Sequence, residues 1–268
     1  AASDVYKRQG LLPNWWLMSK ELELVEAFLS IQGEGAYQGR LAVFLRFLGC
    51  NLNCSGFGVK TRSLKTGEEL LGCDSIRAVF KGHFHHKRYN VDEILSLVDG
   101  VCKGLEQKPI IVLTGGEPLI WHQNENFINL VRNLLINYEV HFETNGTILV
   151  DFDKFEIYKN CHFALGVKLA NSGVSEQKRI NLDAILAIKN NAKSSFLKFV
   201  LSRFDQSELE EILYIKDRAN LPVWCMAMGA NEDELGKNAL KTAEFAIKHG
   251  FNYSERIHIR LWGDKEGV

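Results

Sequence analysis

The chain of 268 residues carries a formal net charge of −1, with 46% hydrophobic and 24% charged residues, which are ordinary proportions for a globular protein. Its length is enough for one large α/β domain or two small ones, and the balanced charge gives no sign of a nucleic-acid binder. No apolar run approaches the roughly 20 residues that cross a bilayer, and six cysteines in so long a chain favour a cytoplasmic protein with reduced thiols over a secreted disulfide scaffold.

The beginning of the chain differs from the rest, because residues 1–17 show no helical or strand periodicity. An apolar stretch there is interrupted by Pro13 and Asn14, and it lacks the small-residue cleavage site of a signal peptide. We therefore expect residues 1–17 to be a non-native or disordered leader, and residues 18–268 to form a single domain.

The predicted elements alternate between strands and helices. Strands are predicted over residues 21–31 and 42–47, and residues 55–90 are the least regular part, an insertion in the cysteine-containing loop. A helix begins at Asn90, whose spacing to Glu93 is typical of a capping box. The other predicted strands cover residues 109–114, 139–143, 162–168, 195–202, 222–228 and 256–262, and the other helices cover 126–136, 182–191, 207–219 and 234–249. This alternation predicts βαβ units and a mainly parallel sheet, either open or curved into a complete or partial barrel.

The polar and glycine-rich segments come directly after the predicted strands. They are residues 32–35, 50, 115–117, 143–146 and 168–173. Both candidate architectures place their sites at the carboxyl ends of the strands. The sequence therefore predicts that these segments line one rim and form a single site.

Cys50, Cys54 and Cys73 lie in a polar, glycine-rich loop on this rim. Three thiolates can hold a metal or an iron–sulfur cluster and leave one coordination position free for a substrate. Two other interpretations stay open, namely inert buried thiols or a zinc site closed by a histidine. The histidines that could close it are His83, His85 and His86, although their setting is more typical of a solvated surface.

Other candidate residues have both structural and functional interpretations. Residues 115–118 form either a strand-ending turn or a backbone that a ligand approaches closely, with Glu117 placed to receive an ammonium group. Glu143, at a strand end, is suited to acid–base chemistry. Arg46 lies inside an apolar strand and needs an anionic partner from the protein or a ligand, and Lys168 raises the same question.

Taken together, these motifs resemble the radical S-adenosylmethionine enzymes, and more narrowly the 7-carboxy-7-deazaguanine synthases of the queuosine pathway. The matching segments are Ser30-Ile-Gln-Gly-Glu-Gly35, Phe44-Leu-Arg-Phe-Leu-Gly-Cys-Asn-Leu52, Cys73-Asp-Ser75, Thr114-Gly-Gly-Glu-Pro118, Glu143-Thr-Asn-Gly146, Lys168-Leu-Ala-Asn-Ser-Gly173 and Arg256-Ile-His-Ile259. The resemblance implies a partial, open TIM-like βα barrel with mainly parallel strands.

The resemblance also implies a reaction. A [4Fe–4S] cluster on Cys50, Cys54 and Cys73 would bind S-adenosylmethionine, whose reductive cleavage yields a 5′-deoxyadenosyl radical. Hydrogen abstraction from 6-carboxy-5,6,7,8-tetrahydropterin would then lead to ring contraction, loss of ammonia and 7-carboxy-7-deazaguanine, the reaction of a carbon–nitrogen lyase.

Site residues follow from the same resemblance. The S-adenosylmethionine contacts would be Gly116, Glu117, Gly166, Val167, Lys168, Met226, Ala227, Met228 and Gly229. The pterin contacts would be Ile31, Gln32, Gly33, Glu34, Arg46, Thr114, His258 and Val268. Glu143 would transfer protons, Arg46 and His258 would face the substrate carboxylate, and Ser75 would bind Mg²⁺. The implied partners are an electron donor such as flavodoxin or ferredoxin and a second copy of the chain, with no nucleic acid or membrane.

Three positions depart from the family pattern. The usual spacing would place the third cysteine at Phe57. The family's prolines are missing from residues 166–168 and from Met226-Ala227, and their loss would make these two loops less rigid. Two other functions remain as alternatives. One is an activating enzyme that installs a glycyl radical on a partner protein, and the other is a non-catalytic, zinc-stabilised binding protein.

Overall fold

The computed structural model describes residues 19–263, 265 and 267, so the predicted leader and Val268 lie outside the described residues. The strands are β1 (Leu22–Ile31), β2 (Leu41–Phe47), β3 (Val59–Arg62), β4 (Glu69–Gly72), β5 (Lys87–Tyr89), β6 (Ile110–Gly115), β7 (Val140–Thr144), β8 (His162–Leu165), β9 (Ser194–Leu201), β10 (Val223–Ala227) and β11 (Asn252–Ser254). The helices are α1 (Ile76–Val79), α2 (Val91–Cys102), α3 (Glu125–Asn137), α4 (Glu176–Arg179), α5 (Leu182–Asn191), α6 (Gln206–Ala219), α7 (Glu232–His249) and α8 (Ile257–Trp262).

Nine strands form the main sheet in the order β11-β10-β9-β8-β7-β6-β2-β1-β5. In this order, the seven strands from β11 to β2 run parallel to one another. Strand β1 is antiparallel to both of its neighbours, β2 and β5. Helices α2, α3, α5, α6 and α7 connect successive strands. The prediction of an α/β fold with a mainly parallel sheet is therefore confirmed.

The sheet is curled, as shown by contacts between the β1–β2 connection and strands on the far side of the sheet. The backbone N–H of Gly35 donates to the hydroxyl of Ser254 at 2.7 Å, and the Tyr37 hydroxyl lies 3.0 Å from the hydroxyl of Ser194. These contacts place the β1–β2 connection across the mouth between β2 and β11. The result is the open, partial barrel that the sequence predicted.

The two faces of the sheet have different surroundings. Val43, Leu45 and Phe47 of β2 belong to the large apolar core beneath the helices. Side chains alternate along a strand, so Phe44 and Arg46 point to the interior of the barrel. This interior face carries the ionisable side chains described below.

Two segments differ from their predictions. Residues 256–262 form α8 rather than a strand, and the last strand, β11, comes earlier. The alternation of polar and apolar residues there resembles a strand, but α8 begins where the N–H of Ile257 donates to the carbonyl of Gly33 at 3.1 Å. Residues 55–90 are more regular than expected, since β3 and β4 form an antiparallel hairpin and β5 joins the main sheet.

The predicted start of α2 is confirmed. The Asn90 side chain accepts from the Glu93 N–H at 3.0 Å, and the Glu93 carboxylate accepts from the Asn90 N–H at 2.7 Å. Among the described residues, none of the helices combines the length and apolar character that spanning a bilayer requires.

Candidate active site

The loop that follows β2 packs directly against the turn that follows β6. The Glu117 N–H donates to the Gly49 carbonyl at 2.8 Å. A Cβ added to Gly116 would lie 2.4 Å from that carbonyl oxygen and 2.7 Å from the Cβ of Cys50. Any side chain at position 116 would therefore collide with this loop, and the backbone of Gly116 lies beside the first cysteine.

The three predicted ligand cysteines lie near one another on this rim. Burial, followed by the charge of Glu117, raises the pKa of Cys50, and Cys73 and Cys54 raise it further. Burial, followed by the charge of Asp74, raises the pKa of Cys73 to about 12. Free thiols at these positions are therefore protonated, and a metal centre would displace their protons.

The three thiols are not close enough to one another to share a single ion as they stand. Among the residues that the structure describes, three potential ligand atoms come within 4.8 Å of one another at Glu139, His141 and His162, and the cysteines do not meet this limit. The sulfurs of a tetrahedral zinc ion lie about 3.8 Å apart, given a Zn–S distance of about 2.3 Å. An iron–sulfur cluster does not require so close an approach, because each cysteine binds a different iron.

Phe57 stands at the usual position of the third cysteine, and its side chain has no group that binds iron. Its ring lies 5.8 Å from the Nζ of Lys168. The neighbouring Gly56 packs on the segment after β8, where an added Cβ would lie 2.3 Å from the Asn171 carbonyl and 2.6 Å from the Gly173 nitrogen. This contact holds the loop between Cys54 and Cys73 against another part of the same rim.

Other contacts hold the two loops that lack the expected prolines. Arg179 donates to the carbonyls of Lys168 at 3.0 Å and Val174 at 3.1 Å. The side chain of Asn238 donates to the carbonyl of Met228 at 2.8 Å. Side chains from neighbouring helices thus restrain both loops.

Glu117 has a different environment from the one predicted. Its side chain is 0% exposed, and its carboxylate accepts hydrogen bonds from the Leu119 N–H (3.0 Å), the Thr144 hydroxyl (2.8 Å) and the Asn145 N–H (2.6 Å). Burial raises the pKa of Glu117 to about 7. The carboxylate thus joins the ends of β6 and β7, and its contact with S-adenosylmethionine stays a prediction.

Glu143 is the centre of a hydrogen-bonded group on the interior face. Its carboxylate accepts from the Thr114 hydroxyl (3.0 Å), the Gln32 amide (3.3 Å) and the Lys198 ammonium (3.4 Å). Lys198 also donates to Glu34 at 2.7 Å. Four of the predicted site residues are therefore brought together, with Lys198 between the two carboxylates.

Arg256 joins three parts of the rim. It donates to Glu34 at 2.9 Å and to the Gly229 carbonyl at 2.6 Å, and it pairs with Asp74, which follows Cys73. Although burial raises the pKa of Glu34, the charges of Lys198 and Arg256 hold it well below its usual value. The cysteine-containing loop, the β1–β2 connection and the loop after β10 are thus linked by one guanidinium.

The two groups expected to face the substrate carboxylate have different settings. Arg46 donates to Glu26 of β1 at 2.6 Å, so the protein itself supplies an anionic partner. His258 lies beside Gly33, where an added Cβ would be 2.3 Å from its Nδ1. Burial lowers the pKa of His258.

The remaining predicted residues lie at different places in the barrel. The Ser75 hydroxyl donates to Asp74 at 3.3 Å on the exposed side of the loop. Ile31 ends β1 opposite Leu41, the first residue of β2, and therefore lies at the amino-terminal end of the parallel strands. Val167 and Ala227 bury their side chains, with 2% and 1% exposure. At those two positions only the backbone can meet a ligand.

Sequence reasoning did not identify Lys198 or Arg256 as site residues. Lys198 interrupts an apolar strand, which is the same signal that identified Arg46. Arg256 belongs to a quoted motif, but nothing in the sequence indicates that it reaches a loop 182 residues away.

Comparisons with known proteins agree with this arrangement. A family model described as a 4Fe-4S single cluster domain matches residues 31–188. The 7-carboxy-7-deazaguanine synthase of Clostridium acetobutylicum is 32% identical over 181 residues, covering 67% of this chain and 68% of that protein. The enzyme of the same name from Halobacterium salinarum is 28% identical over 259 residues, covering 91% of each chain. The crystal structure of QueE from Escherichia coli, at 19% identity, has the same fold, with a TM-score of 0.56 over 92% of this chain and 98% of that one.

Proposed function

The chain belongs to the 7-carboxy-7-deazaguanine synthase family, and on that premise we propose that it converts 6-carboxy-5,6,7,8-tetrahydropterin into 7-carboxy-7-deazaguanine with loss of ammonia. The observation that carries the proposal is a convergence. Cys50 lies beside Gly116, the charges of Cys73 and Cys54 act on Cys50, and the interior face of the same barrel carries the ionisable group around Glu143.

We assign the cofactor contacts as follows. Cys50, Cys54 and Cys73 would hold a [4Fe–4S] cluster, and backbone groups at Gly116 would meet the methionine end of S-adenosylmethionine. When bound, the cluster and S-adenosylmethionine supply the radical that abstracts hydrogen from the substrate. The restrained loops 166–168 and 226–229 would enclose the rest of S-adenosylmethionine, and their rigidity supports binding because little order has to be gained.

The substrate would lie on the interior face, against Gln32, Thr114 and Glu143. A pterin ring carries both donors and acceptors, and the Glu143 carboxylate is positioned to exchange protons with it. The Lys198 ammonium lies between the carboxylates of Glu143 and Glu34 and holds both in place. We assign it a positioning role, because its ammonium is already shared between two carboxylates.

Arg46 and His258 would receive the substrate carboxylate. Among the described residues, Arg46 pairs through its Nε, so its two Nη groups remain available for a second anion. An arginine fork of this kind matches a carboxylate well. Glu26 then acts as the support that orients the guanidinium.

The proposal extends to Mg²⁺ and to partners. Because Arg256 engages Asp74, the Ser75 hydroxyl and substrate oxygens would be the ligands of the ion. We propose that a flavodoxin or ferredoxin supplies electrons, that the chain forms a homodimer, and that it works in the cytoplasm. Free cysteines throughout the described chain support a reducing compartment.

The direct test is turnover. The protein is reconstituted anaerobically with iron and sulfide, then incubated with dithionite, S-adenosylmethionine and 6-carboxytetrahydropterin. We expect 7-carboxy-7-deazaguanine in amounts exceeding the enzyme, and none from protein left without iron. A reconstituted protein that has a full cluster and cleaves S-adenosylmethionine but forms no deazaguanine would contradict the proposal. That result would favour the glycyl-radical activating enzyme. Colourless protein whose zinc disappears in Cys73→Ala would instead support the zinc-binding alternative.

A further inference from the structure

A second cluster of ligating side chains lies at the opposite end of the barrel. His141 is the second residue of β7 and His162 is the first residue of β8. The candidate active site lies at the carboxyl ends of these strands. The carboxylate of Glu139, just before β7, lies 3.5 Å from the Nε2 of His141 and 3.9 Å from the Nε2 of His162. All three ligand atoms lie within 4.8 Å of one another.

The two Nε2 atoms are buried without a hydrogen-bond partner among the described residues. His141 is 5% and His162 is 8% exposed, so water does not readily satisfy them. Buried polar atoms that lack partners are costly, and they need a specific explanation. A cation held between these two atoms and the Glu139 carboxylate would satisfy both of them.

The surroundings hold the histidines in a form that can bind a metal. The Nδ1 of His162 lies 2.7 Å from the Ser194 hydroxyl and 3.0 Å from the Tyr37 hydroxyl, and such partners fix the tautomer and orientation of a ligating imidazole. Burial lowers the pKa of His141 to about 4 and lowers that of His162 as well. Both rings are therefore neutral at pH 7, which is the form in which a histidine binds a metal.

Two features determine how an ion would fit. The imidazole rings stack, with centroids 4.5 Å apart and an interplanar angle of 15°. Ligand atoms around tetrahedral zinc lie about 3.4 Å apart, so an ion would draw the three atoms inward and tilt the rings together. Arg40 also binds the Glu139 carboxylate, at 3.0 and 3.2 Å, and would remain as the hydrogen-bonded support of a ligating carboxylate.

We propose that Glu139, His141 and His162 form a binding site for a divalent transition-metal ion, best suited to Zn²⁺, at the amino-terminal end of the barrel. Two imidazoles and one carboxylate are a common zinc donor set, with water completing the coordination. The ion would join β7 and β8 and so have a structural role. The site is independent of the cysteines and of the proposed reaction.

The test measures Zn²⁺ binding by the cluster-loaded protein, in which the three cysteines are occupied. Zinc is added anaerobically in competition with a chromophoric chelator, and bound zinc and iron are counted after desalting. We expect one zinc per chain, with affinity reduced at least about 10-fold in Glu139→Gln, whose side chain is at the surface. The double variant His141→Ala/His162→Ala should bind none, and a control lacking the exposed His85, His85→Ala, should bind as the unaltered protein does.

Thermal unfolding provides the second readout. Zinc should raise the Tm of the unaltered protein and of His85→Ala, but not that of Glu139→Gln at the same zinc concentration, because ligand binding to the folded state stabilises it. The proposal is overturned if the unaltered protein retains no zinc, or if Glu139→Gln binds it with undiminished affinity.

Discussion

Substituting Arg256→Gln should destabilise the rim around the candidate active site. The guanidinium donates to Glu34 at 2.9 Å and to the Gly229 carbonyl at 2.6 Å, and it pairs with Asp74. A glutamine amide is shorter and uncharged, so it cannot span these three groups. Two carboxylates lose a charge partner, and a buried carbonyl loses its donor.

The size of the effect follows from the burial of the partners. Removing one member of a buried ion pair costs about 3–5 kcal/mol. Asp74 is 49% exposed at its side chain, and Glu34 keeps the Lys198 ammonium at 2.7 Å, so both losses are partly offset. We therefore expect a value near the lower end, about 3 kcal/mol, which changes the unfolding equilibrium constant by more than about 100-fold.

The loss should also depend on pH. The pKa of Glu34 lies well below its usual value of 4.5 in the folded protein, partly because of Arg256. A group of this kind stabilises the fold above its unfolded pKa, and the stabilisation disappears as the pH falls towards the folded pKa. Because Arg256→Gln brings the folded pKa of Glu34 closer to the unfolded one, the difference between variant and unaltered protein should shrink below about pH 4.5.

The assay is urea unfolding of the cluster-loaded proteins under anaerobic conditions at pH 7 and pH 4, with far-ultraviolet circular dichroism as the signal. A difference of this size moves the midpoint by about 1 M urea if the slope is near 3 kcal/mol/M. Arg132→Gln, at an exposed arginine on α3, is the matched control and should leave the midpoint unchanged. A difference below about 1 kcal/mol at pH 7, or an equal difference at both pH values, would refute this account of Arg256.

Three other substitutions test separate parts of the site. Gly33→Ala places a Cβ 2.3 Å from the Nδ1 of His258, so substrate KM should rise while S-adenosylmethionine cleavage without substrate is retained. Gly116→Ala places a Cβ 2.7 Å from the Cβ of Cys50, so S-adenosylmethionine binding, measured by equilibrium dialysis, should weaken at least about 10-fold, and unchanged binding would contradict the close packing. Glu143→Gln should lower turnover by about 10²–10⁴-fold with iron content unchanged, and normal turnover would exclude Glu143 from proton transfer.

The sequence predicted the elements whose signals are local. The capping box at Asn90 and Glu93 is a pattern of four residues, and the structure shows both of its hydrogen bonds. The continuously apolar run in β6 is buried along its whole length, as expected for a parallel strand covered on both faces. Alternation of such segments was enough to predict the class of fold, but not that β1 is antiparallel, so that residues 32–35 leave their strand at the opposite end from the cysteines.

Features that depend on distant contacts could not be predicted. The segment after Arg256 alternates like a strand, yet a hydrogen bond to the β1–β2 connection and the buried guanidinium place it in α8. Nothing in the sequence indicates that the Glu117 carboxylate bonds to Thr144 and Asn145, 27 and 28 residues further along. The partner of Arg46 is Glu26, which lies opposite it only because β1 is antiparallel to β2.

The central claim is that Cys73, together with Cys50 and Cys54, holds the cluster that supports turnover. The most direct measurement compares iron content and absorbance near 400 nm after anaerobic reconstitution of the unaltered protein, Cys73→Ala and the control Cys102→Ala. The account predicts about four irons and deazaguanine formation for the unaltered protein and the control, with both lost in Cys73→Ala. A Cys73→Ala protein that keeps four irons and forms product would contradict it.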